Sequence, residues 1–296
     1  MAGCIRVRAG GAAVLTPHPT SRSFGKVCLT AGLIALVAIA GVLAVRHLTT
    51  NPEAPLLPTD AAPPAASPLP PPETAEPTAF DRARRQMVDV QLRARDITDS
   101  RVLEAMGSVP RHLFVSEGYR DEAYDDHPLP IGHGQTISQP YIVALMTQLA
   151  QPRPEHRVLD VGTGSGYQAA VLSLLCKEVY GIEIVPPLAE AARKRLAELG
   201  YANVTVRSGD GYRGWPEHAP FDVIIVAAAP DHVPQALIDQ LAPGGRLVIP
   251  VGGYTQHLTV IERQADGSIR RSSAAGVLFV PMTGEALKRG PPDGER

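Results

Sequence analysis

The stretch VLDVGTGSGY, Val158 to Tyr167, is an apolar run that breaks into a glycine-rich turn. Gly162 and Gly164, with Thr163 between them, permit a tight turn and let a ligand approach bare backbone. Gly166 permits close packing where the next helix starts. Glu183 closes the following apolar run, where an acid can accept hydrogen bonds from both hydroxyls of a ribose. One run further on, SGDGY supplies Asp210 and Gly211, and Asp210 can accept an adenine amino proton. The glycines are spaced G-x-G-x-G, with Tyr167 where a dinucleotide fingerprint has its third glycine. Asp160, two residues before the first glycine, disfavours a pyrophosphate at the helix N-terminus. It favours a ligand that carries an ammonium and a sulfonium, and S-adenosylmethionine carries both. That reading is preferred to a dinucleotide, and to a turn that only packs strand on helix.

Upstream lies HGQTISQP, His133 to Pro140, with a hydroxyl pair at Thr136 and Ser138 and no base at a recognisable spacing. Ser138 before Gln139-Pro140 is an ordinary helix-start pattern, and on these residues alone a capping role is the better reading. Arg111 in VPRHLF can meet a substrate, but an arginine after a helix stop is more often solvated or locally paired. His133 and Tyr167 can contact a cofactor; an exposed loop histidine and a core aromatic are equally ordinary readings.

These residues need strands and helices to hold them. RVLDV (157–161), EVYGIEI (178–184), NVTVRSGD (203–210), FDVIIVAAA (221–229) and GRLVIPVG (245–252) read as strands. YQAAVLSLLCK (167–177), PLAEAARKRLAEL (187–199) and DHVPQALIDQL read as the helices between them, with Gly200 at a C-cap position. Two short amphipathic helices are expected between Phe80 and Phe114, the second capped by Asp99 or Ser100 and closed by Pro110. Asp266-Gly267 marks a hairpin turn, and GVLFVPM is expected as a final strand. Alternation followed by a hairpin describes a doubly wound α/β sheet with an antiparallel edge pair.

The formal charge of −2 over 296 residues leaves no basic footprint for a nucleic-acid partner. Cys4, Cys28 and Cys176 are scattered, and the nine histidines show no ligand spacing, so neither a disulfide framework nor a metal site is expected. Residues 1–26 form a basic segment. Residues 27–45 run without a charge for a length that can cross a hydrocarbon core of about 30 Å. The length favours a signal anchor over a cleavable signal peptide, for which Ala38-Ile39-Ala40 offers a site; a start nearer Met87, with the residues before it untranslated, is the other reading. Residues 46–79 read as an extended Pro/Ala-rich linker, and residues 80–296 as the globular domain. The basic residues ahead of the apolar run point the domain out of the cytoplasm. S-adenosylmethionine is made inside cells, so the expectation is a cytoplasmic domain, tethered if the run is retained.

With the loop, both acids and GQTISQP in hand, the chain resembles the protein-L-isoaspartate (D-aspartate) O-methyltransferases from roughly Gln86 to Ala286. VPRHLFV, PLPIGHGQTISQP, VLDVGTGSGYQAAVL, GDGYRGW, FDVIIVAAAP, LAPGGRLVIPVG and FVPMTGE are similar to the family's motifs and stand in its order. The resemblance implies a class I, Rossmann-like methyltransferase: a mostly parallel seven-stranded sheet with an antiparallel C-terminal edge hairpin, and an N-terminal helical subregion. It implies methyl transfer from S-adenosylmethionine to the α-carboxyl of L-isoaspartyl and D-aspartyl residues in damaged proteins, with repair through a succinimide. A monomer without a metal is expected. In such a reaction the nucleophile is a carboxylate, ionised at neutral pH because its reference pKa is about 4. The methyl is already activated, so no base is required. The resemblance gives Ser138 the orientation of that carboxylate, sets Gln135 and Thr136 on the cofactor side, and brings Thr283 close to the cofactor. The alternatives are a related methyltransferase acting on a small molecule or another side chain, and a membrane-tethered binding module without catalysis.

Overall fold

The computed structural model describes residues 77–288. The basic segment, the apolar run 27–45 and nearly all of the expected linker lie outside the described residues. The chain divides into two units, Met1–Leu69 and Pro70–Arg296, and the fold described below belongs to the second.

Thr78 opens it with a capping box. Its hydroxyl accepts from the Asp81 N–H, and the Asp81 carboxylate accepts from the Thr78 N–H at 3.0 Å. Helix α1 (Ala79–Gln86) runs directly into a π-helical turn at Met87–Arg93, which buries Met87, Val88 and Leu92. Helix α2 (Ser100–Ser108) starts at Asp99, whose side chain caps the Arg101 N–H. A short antiparallel pair follows, β1 (Leu129–Gly132) and β2 (Gln135–Ile137). Its turn puts His133 and Gly134 at φ 53° and 71°, and two consecutive positive φ values are what a tight two-residue hairpin requires. Helix α3 (Pro140–Ala150) comes next.

The remaining chain builds one sheet from β3 (Arg157–Val161), β4 (Glu178–Glu183), β5 (Val204–Ser208), β6 (Phe221–Val226), β7 (Leu241–Val251), β8 (Gln256–Arg263) and β9 (Ile269–Val277). Helices α4 (Tyr167–Ser173), α5 (Pro186–Glu198) and α6 (Gln235–Asp239) connect them. The spatial order is β5-β4-β3-β6-β7-β8-β9, with parallel pairing from β5 to β7 and antiparallel pairing beyond. The chain therefore starts at β3, winds outward to β5, then crosses back to β6. The carboxyl ends of β3, β4 and β6 meet at that reversal, which is where a doubly wound sheet leaves a crevice.

Period-two alternation sends side chains to two cores. Val158, Val223, Ile225 and Val248 pack with α2, α3 and α4, whereas Leu159, Ile224, Val226, Leu247 and Ile249 pack with Trp215 and Leu237. Both faces of the parallel strands are covered, so these strands read as unbroken apolar runs. Gly166 shows why its position has no side chain: at φ 94°, an added Cβ would meet Leu196 Cδ1 of α5 at 3.1 Å. The last two strands form the expected hairpin around Gly267, and β9 is the outer strand, exposed along nearly all its length. The expected strand over GVLFVPM forms only at Gly276 and Val277. β9 ends at Val277, and Pro281 makes only an isolated bridge to Ala229, since a proline cannot donate to a ladder. No helix among the described residues is long and apolar enough to cross a membrane.

Candidate active site

A cleft of about 910 Å³, part of it open to solvent, lies over the carboxyl ends of β3, β4 and β6. It collects Gly162, Thr163 and Gly164 from the loop after β3, and Glu183 from the end of β4. Gly211 follows β5, Gln135, Thr136 and Ser138 come from the β2 segment, and Thr283 comes from the tail. Nine of the eleven residues that sequence reasoning put forward thus line a single cleft; Asp160 and Asp210 do not line it.

Glu183 is buried and stitches the loop to its own strand end. Its Oε2 accepts the Gly164 N–H at 2.8 Å and its Oε1 accepts the Val185 N–H at 2.9 Å. An ionised carboxylate has about four lone-pair sites, so each oxygen keeps capacity for a hydroxyl. Two glycines at the cleft stand in crowded places. Gly164 holds φ 55°, and a Cβ there would come within 3.1 Å of Ile131 Cδ1 of β1. At Gly211 a Cβ would collide with Val161 Cγ1 at 2.4 Å.

Asp210 spends its carboxylate elsewhere. Oδ1 accepts the Tyr212 N–H at 3.0 Å and Oδ2 accepts the Glu285 N–H at 2.8 Å. It joins the turn after β5 to the C-terminal tail, and the cleft meets Gly211 rather than Asp210 itself. Asp160 is fully buried on the face of β3 that carries Val158, and neither carboxylate oxygen has a hydrogen-bond partner. The Thr163 hydroxyl donates to the Asp160 main-chain carbonyl instead, at 3.1 Å. Burial, opposed by the nearby Thr163 hydroxyl and reinforced by the charge of Glu183, pushes Asp160 up to about 7.

Ser138 sits where the cleft opens into a broader groove of about 1860 Å³, and both are lined by Thr136, Ser138, Ala227 and Val280. Helix α3 takes Gln139 as its N-cap with no side-chain cap hydrogen bond, and Pro140 is its first residue. The capping reading of Ser138 is therefore overturned: the serine stands one residue too early. Pro140 has no N–H to cap, which lowers the demand for a capping hydroxyl. The Ser138 hydroxyl makes no hydrogen bond among the described residues. His133 is exposed at the tip of the β1–β2 turn and does not line the cleft. Tyr167 is buried and does line it, edge-on to Phe114 with ring centroids 5.6 Å apart. Arg111, expected to be solvated or locally paired, is fully buried instead.

Sequence reasoning missed the apolar lining. Ile184 keeps 37% of its surface exposed at the cleft, directly after the acid that ends β4. An apolar side chain left open at the rim of an otherwise packed sheet is the signal that could have found it. Ala227 and Ala228 after β6 line the cleft too, and their small size keeps the crevice open.

The lining fits an adenosyl sulfonium ligand better than a dinucleotide. Among the residues that line the cleft there is one acid, Glu183, and no lysine, arginine or histidine to meet a pyrophosphate. Among the described residues no group of histidine, cysteine and acid side chains is placed to hold a metal ion.

Comparison with known proteins agrees with this geometry. The family model described as protein-L-isoaspartate(D-aspartate) O-methyltransferase matches residues 82–287. The protein-L-isoaspartate O-methyltransferase of Synechococcus sp. (strain JA-2-3B'a(2-13)) is 56% identical over 220 residues, 72% of this chain and 89% of that protein. That of Gloeobacter violaceus is 57% identical over 201 residues, 67% of this chain and 98% of the relative. Among solved structures, a protein-L-isoaspartate O-methyltransferase superposes with a TM-score of 0.64 at 29% identity, covering 69% of this chain and 67% of that one. A Plasmodium falciparum protein assigned as a beta-aspartate methyltransferase, crystallised with S-adenosyl-L-homocysteine, superposes with a TM-score of 0.59 at 29% identity. It covers 68% of this chain and 98% of that one.

Proposed function

The chain belongs to the protein-L-isoaspartate (D-aspartate) O-methyltransferase family, and on that premise we propose how its cleft carries the reaction. The enzyme transfers a methyl group from S-adenosylmethionine to the α-carboxyl of L-isoaspartyl residues in damaged proteins. D-aspartyl residues are included in this reading, and the ester opens repair through a succinimide. The observation that carries the assignment of roles is the unbonded Ser138 hydroxyl at the junction of cleft and groove.

S-adenosylmethionine supplies an electrophilic methyl on a sulfonium when bound; the rest falls to the chain. Glu183 offers its remaining lone pairs to the ribose hydroxyls, and Ile184 offers an apolar surface to the adenine. The glycine turn and Thr163 bring bare backbone to the methionine part, with Gln135, Thr136 and Thr283 closing over it. Ser138 donates one hydrogen bond to a carboxylate oxygen of the substrate and leaves the other oxygen free to attack. A neutral donor orients without neutralising, so the nucleophile keeps its charge. The remaining task is in-line placement with water excluded. Asp160, raised to about 7, favours a cationic ligand through the field of its ionised form. Asp210 is kept as the adenine contact only through a spare lone pair beside its two backbone bonds.

The test is a pair of synthetic peptides, one isoaspartyl and one with normal aspartate, incubated with the purified chain and labelled donor. Label is expected in the isoaspartyl peptide alone, and equal labelling of both overturns the repair reading. The same reading keeps the catalytic domain in the cytoplasm as a monomer and residues 27–45 as its tether. A fractionation blot finding the intact chain only in the soluble fraction removes the tether.

A further inference from the structure

We propose that Arg111 is a positioning residue that holds the Ser138 segment in place, an inference that rests on the role given to Ser138 above. Arg111 opens a short 3-10 turn after α2, and its side chain is fully buried. No carboxylate lies within salt-bridge distance of it among the described residues. Burial pulls its pKa down to about 10, so the cation persists at a cost. A buried cation without a counter-ion is expensive to desolvate.

The geometry here is specific. Nε donates to the Ala123 carbonyl at 2.6 Å and Nη2 donates to the Ser138 carbonyl at 2.8 Å. The guanidinium carbon lies 4.8 Å from the ring centroid of Tyr167, which lines the cofactor cleft at the start of α4. One planar fork thus joins the 123 turn, the Ser138 segment and a wall of the cleft. The Ser138 carbonyl falls just outside α3, whose first accepting carbonyl belongs to Gln139, so Arg111 supplies the donor that the helix does not. A lysine at this position would keep the charge but carries one point donor where two diverging carbonyls must be met.

Arg111→Lys tests this in two ways. Hydrogen exchange needs no assumption about the reaction: amides at 135–139 are expected to exchange faster in the variant, while those of the glycine loop at 162–166 stay protected. Unchanged exchange at 135–139 overturns the inference, and so does equal loosening of both segments, which marks a general scaffold role. Turnover gives the second arm. With S-adenosylhomocysteine affinity held, Arg111→Lys is expected to lower kcat for an isoaspartyl peptide by up to about tenfold, no more than loss of the Ser138 hydroxyl itself. In a Ser138→Ala background the same change is expected to cost little more, because Arg111 acts through that serine. Full additivity of the two losses overturns the inference. Absence of turnover in the unaltered chain instead sinks the functional reading, and the exchange arm still decides the role of Arg111.

Discussion

From Gly162 to Glu183 the cleft is walled by main chain stitched to main chain. The Gly162 N–H donates to the Ile182 carbonyl at 2.8 Å, and Glu183 takes two more N–H groups within its own neighbourhood. The facing wall, Gln135 to Ser138, is a strand of three residues plus its exit, tied down from far along the chain by Arg111. Each wall has one fully buried charge without a counter-ion close by: Asp160 under the first, Arg111 under the second. They differ in what those charges do. Arg111 uses two of its donors on carbonyls, whereas Asp160 uses neither oxygen. The first wall is bonded locally and leaves its buried carboxyl unused; the second is tied by a guanidinium donor that reaches it from outside.

Four measurements press on that contrast. The largest effect is expected at Asp160. Its folded pKa of about 7 lies above the ordinary 3.8, so in folded and unfolded states alike it is protonated below about pH 4. As pH rises from there to about 7, the unfolded chain ionises first and stability falls. At about 1.4 kcal/mol per unit the full penalty above pH 7 is roughly 4 kcal/mol. Denaturant unfolding of Asp160→Asn is expected to show a gain over the parent that is near zero at pH 4 and approaches this size at pH 8. A gain independent of pH would mean that Asp160 is not held in reserve.

Glu183→Ala comes next. Loss of a charged acceptor for two hydroxyls, with two half-buried N–H groups left bare, should weaken S-adenosylhomocysteine binding by about a hundredfold by calorimetry. Unaltered affinity would take the ribose contact away from this wall. Ser138→Ala should lower kcat about tenfold, the value of one hydrogen bond to a charged group, with donor affinity kept. A fall in affinity rather than kcat would move Ser138 to the cofactor side of the comparison. The smallest effect is expected at Leu278, 84% exposed on the groove beyond Ser138. Leu278→Ala should raise KM for a peptide with bulky apolar flanking residues by about twofold to threefold, in line with partial burial of one side chain. A change in KM for a glycine-flanked peptide as well would argue against a flanking contact.

The same division explains what the sequence made legible. Strand β3 coincides with RVLDV at 157–161, and the loop, Glu183 and the hairpin turn at Gly267 stand where their local patterns put them. Short-range sterics and alternation decide those features, and both can be read residue by residue. The facing wall obeys other rules. HGQTISQP was legible as a motif but not as the second half of a hairpin, because strands of four and three residues are too short for alternation to register. Arg111 was misjudged because its partners are the main-chain carbonyls of Ala123 and Ser138, the latter 27 positions away. Carbonyls leave no trace in side-chain pattern. GVLFVPM reads as a strand by composition, yet only Gly276 and Val277 pair with β8, and beyond them only an isolated bridge at Pro281 remains.

The outer strand has a bearing on the company this enzyme keeps. An open sheet edge is a template on which extended backbone of another chain can add itself. β9 is an edge of that kind, but it carries Arg270 and Arg271 side by side, the first paired with Glu262 across the hairpin. The β8–β9 register also slips between Leu258 and Thr259. Charge and a bulge are devices that deny an edge to a passing strand. Both devices therefore blunt this margin of the sheet, the one opposite β5.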